Sequence, residues 1–281
     1  MDLIFEPFKY AFFVRALIVG VLLGLSCGVL GCFVVLRGMA FIGDALAHSI
    51  LPGVVVAYLF GLNILAGAFI AGLVTALLIS GISRTQQVKE DAAIGIVFTG
   101  AFALGIVLIS RIQGYTRDLV HFMVGNILGV SPDDVVFVAV ATLVVLIVLA
   151  LWFREFTLMS FDIIHARAIG LKINFLHLTL MILLSLTIVT GLQAVGVILV
   201  ASMLITPAVT ARLLTDRLPI MVLLSSVFGC ASAIVGLYLS YYTDVASGGA
   251  VVLTGTLIFI LAFIFAPKRG FIARHPLRTW R

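Results

Sequence analysis

Phe12 to Leu36 reads FFVRALIVGVLLGLSCGVLGCFVVL, a run whose single charge, Arg15, lies near one end. A segment of about twenty apolar residues is long enough to cross the hydrocarbon of a bilayer as a helix. Comparable runs recur along the whole chain. Between polar punctuation they give nine candidate spans: Phe12–Leu36, Ile42–Phe60, Ile64–Ile82, Ala93–Ile109, Val135–Phe153, Phe175–Val189, Gln193–Leu213, Pro219–Tyr241 and Ala250–Ala266. Only Thr190 to Gln193 separates the sixth from the seventh. If that joint is not a turn, the count falls to eight.

Composition points the same way. Of 281 residues, 63% are hydrophobic and 10% charged, with a mean hydropathy of +1.31. A soluble domain needs roughly a quarter of its residues charged to build a surface, which this chain cannot supply. The apolar runs are continuous rather than alternating, which excludes a membrane β-barrel. The expectation is an all-α polytopic transmembrane helical bundle of eight to nine spans, forming one domain over residues 1–281. The N-terminus, MDLIFEPFKY, carries two acids and no small-residue cleavage site, so it does not read as a removable signal peptide.

The net charge of +5 does not indicate nucleic acid, because the basic residues are dispersed one or two per loop. They fit membrane topology instead. With nine spans and the N-terminus outside, thirteen Lys and Arg, among them Arg37, Arg154, Arg167, Lys172, Arg212 and Arg217, fall on one side; Lys9, Arg15, Arg111 and Arg117 fall on the other. The positive-inside rule then places the C-terminus and its basic tail, RGFIARHPLRTWR, in the cytosol. Cys27, Cys32 and Cys230 lie in apolar segments without a CxxC or a secreted-type framework.

Two loops are long. Ser110 to Asp134, outside, contains DLVHFMVGNILG, too short to span and expected as an interfacial or re-entrant helix. Residues 154–174, inside, contain SFDIIHARAIGL, a short helical pattern with apolar residues on one side. That segment either docks a partner or rests on the headgroups.

Ionisable groups in hydrocarbon are expensive and are normally paired or used. Asp44 and His48 are spaced i, i+4, which sets carboxylate and imidazole on one helix face a turn apart. His48 lies about 9 Å along its span, and Pro52 and Gly53 follow, a discontinuity of the type that lines a cavity. The pair reads either as two ligands for a divalent transition metal or as a hydrogen bond that fixes packing. One helix supplies only two ligands, fewer than zinc or manganese takes, so a metal site requires a two-fold homodimer. Ser202, Thr206 and Pro207 suggest a kinked seventh span, Gly20, Gly24, Gly28 and Gly31 give the first span small faces for close contact, and Asp244 falls at the outer interface, where it either meets an incoming cation or is solvated. His121, His165, His177 and His275 are scattered and receive no ligand role. There is no GxxxxGK[ST], HExxH or GxSxG, so neither ATP hydrolysis by a phosphate loop nor membrane hydrolase chemistry is expected of this chain.

The run LRGMAFIGDALAHSILPGVVVAYLFG at Leu36–Gly61 resembles the signature of the membrane permease subunit of the manganese, zinc and iron class of ABC importers. GNILGVSPDD at Gly125–Asp134, FDIIHARAIGL at Phe161–Leu171, ILVASMLITPAVTARLLT at Ile198–Thr215 and SYYTDVASGGAVVL at Tyr241–Leu253 extend the resemblance in the same order. It implies a homodimer in the bacterial cell membrane, the inner one where there are two. It implies an ATP-binding subunit on the cytosolic side and an extracytoplasmic metal-binding protein as partners. Asp44 and His48 then line the path as metal ligands, with Ser202, Thr206 and Asp244 as further candidates along it. A coupling helix falls on Phe161, Asp162, His165, Ala166, Arg167 and Gly170. The cargo would be Mn²⁺ first, or Zn²⁺ or Fe²⁺, with no permanently bound cofactor. The alternative is a secondary metal transporter or channel acting alone.

Overall fold

The computed structural model describes residues 5–84, 87–110 and 127–266, and every regular element among them is helical. Nine of these helices or helix pairs are long and apolar enough to cross a membrane. In chain order the helices are α1 (Ala11–Leu36), α2 (Ile42–Ser49), α3 (Leu51–Leu59), α4 (Ile64–Arg84), α5 (Glu90–Ile109), α6 (Pro132–Leu151), α7 (Phe153–Phe161), α8 (Ile163–Ala168), α9 (Ile173–Val195), α10 (Val197–Leu214), α11 (Leu218–Thr243) and α12 (Ser247–Phe265). The helices α2 and α3 share one span, and α7 and α8 occupy the loop between the fifth and sixth spans. Of the stretch DLVHFMVGNILG only Ile127–Gly129, a 3₁₀ turn, lies within the described residues. The basic tail lies outside them, as do Arg111, Arg117, His121 and His275.

The first span is the axle of the bundle: 72% of an 18-residue apolar stretch of α1 is buried, against 17% of the corresponding stretch of α12 at the periphery. It is inserted between α10, α11, α6 and α9, and its glycines explain how. A side chain on Gly24 would strike the backbone of Gly229 and Cys230 on α11, 2.8 Å away. One on Gly31 would meet the carbonyl oxygen of Leu204 on α10. Hydrophobicity does not drive helices together in lipid, so close backbone approach with its dense van der Waals contact does. Ser225 Oγ adds a bond to the Gly28 carbonyl at 2.8 Å across the same α1–α11 contact.

Turns at the two ends of the bundle fix how one span hands over to the next. After α1 the chain closes with Gly38 at φ 74°, where Gly38 N–H donates to Val35 and Met39 N–H to Val34. This is the glycine helix stop that satisfies the last carbonyls of a helix. Arg212, in the last turn of α10, donates to the remaining Val35 carbonyl valence at 3.1 Å. At the opposite end of the bundle, Ser131 and Asp134 form a reciprocal capping box that opens α6, and Gln193 Nε2 ties Asp134 Oδ1 to α9 at 2.8 Å. The motif's SPDD is therefore a helix start. Ser131→Ala should lower stability by about 1 kcal/mol, read as a modest drop in detergent melting temperature; an unchanged melt would mean that the Asp134–Gln193 tie alone holds this end.

One expected boundary is displaced. Residues Thr190 to Gln193 are not a turn: α9 runs through them to Val195, and the chain reverses at Gly196, with φ 89° and ψ 167°. The count nevertheless stays at nine, because a single glycine can occupy that backbone region without a Cβ clash. The Pro52 break is present, with α2 ending at Ser49 and α3 starting at Leu51, since proline has no N–H for the His48 carbonyl. Gly53, however, opens no cavity. It abuts Gly67 on α4 so closely that a Cβ on either would overlap the other's carbonyl.

Candidate functional site

The helix α2 presents two faces. Ile42, Ala45 and Leu46 are buried, and Gly43 lies against Leu204 of α10. The opposite side carries Asp44 and His48, with His48 Nε2 3.4 Å from Asp44 Oδ1. The carboxylate side chain is half exposed and the imidazole 22% exposed, so the pair opens outward from the protomer. Behind it, Phe98 and Phe102 of α5 stack on each other and hold the imidazole at ring-centre distances of 5.9 and 5.4 Å. These rings fix the imidazole plane without offering a hydrogen bond, and Nδ1 of His48 is buried with no partner. Sequence reading missed the two phenylalanines; their i, i+4 spacing is visible, but not that His48 faces them.

The other candidates lie elsewhere in the protomer. On α10, Ser202 Oγ and Thr206 Oγ1 stand 3.4 Å apart, and the Thr206 methyl turns toward Gly255 on α12, away from the Gly43 contact. The helix continues unbroken through Pro207. Asp244 caps α11 in the left-handed region, φ 52°, and lines a cavity of about 650 Å³ beside the start of α1 with Glu6, Tyr10, Tyr241 and Tyr242. It is thus at the opposite end of the molecule from the Asp44–His48 turn. Among the described residues no three of His, Cys, Asp and Glu converge.

The 154–174 segment is built as two short helices. The side chain of Asp162 accepts from His165 N–H at 2.8 Å and starts α8; Gly170, φ 85°, ends it. Ala166 is fully buried and anchors the turn on the bundle. Phe161, Ile164 and Ile169 are 59%, 82% and 52% exposed, while His165 and Arg167 are also at the surface. An isoleucine this open in a turn between two spans is an apolar surface without a cover in the isolated chain.

A second polar cluster was not legible in the sequence. Arg37 Nη2 lies 3.2 Å from both oxygens of Glu90, and His177 Nε2 lies 3.5 Å from Glu90 Oε1. Three separate spans supply these groups, which is why no local motif announces them.

A transport-family model described as the ABC 3 transport family matches residues 9–266. The chain belongs to that family. It is 48% identical to the manganese transport system membrane protein MntC of Halalkalibacterium halodurans, over 97% of this chain and 92% of the relative. It is 40% identical to a probable iron transport system membrane protein of Haemophilus influenzae, over 98% and 97%. Among solved structures it is similar to PsaBC from Streptococcus pneumoniae in complex with Fab, with a TM-score of 0.84 and 39% identity over 96% of this chain and 98% of that one. Family membership and the nine apolar helices make it a multi-pass ABC transporter permease of a bacterial membrane.

Proposed function

We propose that this chain is the membrane permease of an ATP-driven importer that carries Mn²⁺ into the cell, with Asp44 and His48 as its transient ligands. The carrying observation is that pair's geometry. Two donors each about 2.2 Å from one ion stand about 3.1 Å apart in adjacent octahedral positions and about 3.6 Å apart at the tetrahedral angle, and the Nε2–Oδ1 separation of 3.4 Å lies between these. Carboxylate and imidazole together suit manganese, iron or zinc and not copper(I), which prefers sulfur. The 48% identity to a manganese transport protein favours Mn²⁺ among them, and the relative named for iron keeps Fe²⁺ as the nearest competitor.

A half-exposed carboxylate within a spanning segment costs several kcal/mol against acyl chains. A second copy facing the first removes that cost and doubles the donors to two carboxylates and two imidazoles. Such a homodimer, with an ATP-binding subunit seated on the α8 segment and an extracytoplasmic metal-binding protein on the outer face, accounts for each open surface. ATP hydrolysis then belongs to the partner subunit. Membership of an ABC family weighs against a carrier that works alone.

The reading is tested by reconstituting the chain in liposomes with and without its ATP-binding subunit and following Mn²⁺ entry. Uptake should require both ATP and that subunit. Ile164→Asp, which puts a charge on the open apolar turn, should cut ATP-driven uptake by at least about tenfold without disturbing the melt of the permease. Uptake by the chain alone would overturn the proposal.

A further inference from the structure

By the positive-inside assignment, α1 ends, α5 begins and α9 begins on the cytosolic side. There, a cavity of about 560 Å³ opens between these ends, the last turn of α4 and the α8 segment. Glu90 and His177 lie in its wall, 3.5 Å apart, nearly the same separation as the Asp44–His48 pair. Glu90 is eight residues from Phe98, the ring that holds His48, and so about 12 Å farther toward the cytosol along α5.

We infer that this cavity is a second divalent-cation site, in which Glu90 and His177 are the strong donors and Ser80 and Ser83 add hydroxyl oxygens. The inference rests on the reading of the chain as a divalent-metal permease. Ser80 is 2% exposed. Ser80 and Ser83 line the cavity, and their buried hydroxyls have no hydrogen-bond partner, although a buried hydroxyl ordinarily finds one. A helical serine normally satisfies itself on the carbonyl one turn back, as Ser49 does on Ala45. Unsatisfied oxygens beside a carboxylate–imidazole pair at ligand spacing are what a cation would satisfy.

Arg37 sets the strength of the site. With no ion it occupies both Glu90 oxygens and neutralises them; an arriving cation must take the carboxylate from it. That exchange makes binding weak and release easy, as an exit-side site requires. It also frees Arg37 from α5 beside Ile163, Ile164 and Arg167, which line the same cavity. Occupancy therefore bears on the segment that a partner would grip.

The test is Mn²⁺ binding to the purified full-length chain in detergent, read by loss of the free-ion EPR signal. It is done in the Asp44→Ala, His48→Ala background, so that the second site is counted in the absence of the first. One Mn²⁺ per chain should remain. Adding His177→Gln should weaken it at least about tenfold, while adding Arg37→Met, which removes the competitor, should tighten it by about tenfold. The opposite signs separate a ligand set from a merely structural cluster, which would lose binding in both or in neither. No Mn²⁺ bound by the double variant, or no tightening with Arg37→Met, would overturn the inference. Transport by the Asp44 and His48 variants is a separate measurement, so the two readings fail independently.

Discussion

Asp44→Ala and His48→Ala are each expected to abolish metal uptake while leaving the protein assembled. Removing a group that merely orients a ligand already costs 10- to 100-fold in metal affinity; removing the ligand itself should lower uptake at least about 100-fold. The change is magnified by symmetry, since one substitution deletes two donors from a site shared by two copies. Asp44 carries none of the packing, whereas His48 packs on Phe98 and Phe102. The buried side of α2 is made by Ile42, Ala45 and Leu46, and Asp44 is half exposed. For Asp44→Ala, melting temperature and basal ATPase rate of the complex with its ATP-binding subunit should therefore stay near wild type. Asp44→Asn is the sharper variant, because it keeps the shape and a hydrogen bond to His48 but loses the charge. If Asp44→Asn transports normally, the pair is a packing contact and the ligand role is wrong.

The largest structural effect should come from Gly31. A methyl there would overlap the Leu204 carbonyl oxygen, with the Ala208 methyl 3.2 Å away. Neither a helix carbonyl nor an alanine can swing aside as a long side chain would. The whole of α10 must move off α1, and Gly43 of α2 also rests on Leu204. Overpacking usually costs 1–3 kcal/mol, and Gly31→Ala should exceed about 3 kcal/mol because the obstacle is backbone. Gly31→Ala is expected to yield little folded protein on size-exclusion chromatography. Gly81→Ala is the control, since that position has open space around it and should melt as wild type does. Equal behaviour of the two variants would refute the backbone-to-backbone contact.

The two predictions differ in how far they could be read from the chain. The i, i+4 spacing of Asp44 and His48 is a local fact, and a helix needs only its own 3.6-residue period to bring them onto one face. The glycine spacing of the first span announces a close contact in the same way, but not that Gly24 meets Gly229 or that Gly31 meets Leu204. Those partners are about two hundred residues away. The displaced turn at Gly196 shows the limit at short range. Thr190 to Gln193 looks polar enough to break a helix, yet each of its hydroxyl and amide groups is absorbed: Thr190 donates to Leu186, and Gln193 reaches Asp134 on α6. The tertiary bond ties that stretch into the helix, and Gly196 rather than Gly191 takes the positive φ.

From the sequence alone came the membrane, eight to nine crossings, the acid–imidazole pair and the family resemblance. All of these depend on composition, on period or on residues within one or two turns of each other. Tertiary structure alone decided that α1 is the central helix, that Phe98 and Phe102 hold His48, and that Arg37, Glu90 and His177 meet. The physical reason is that lipid provides no hydrophobic force to choose helix neighbours. Shape and hydrogen bonding between distant spans choose them, and those are properties of pairs of surfaces rather than of any one segment.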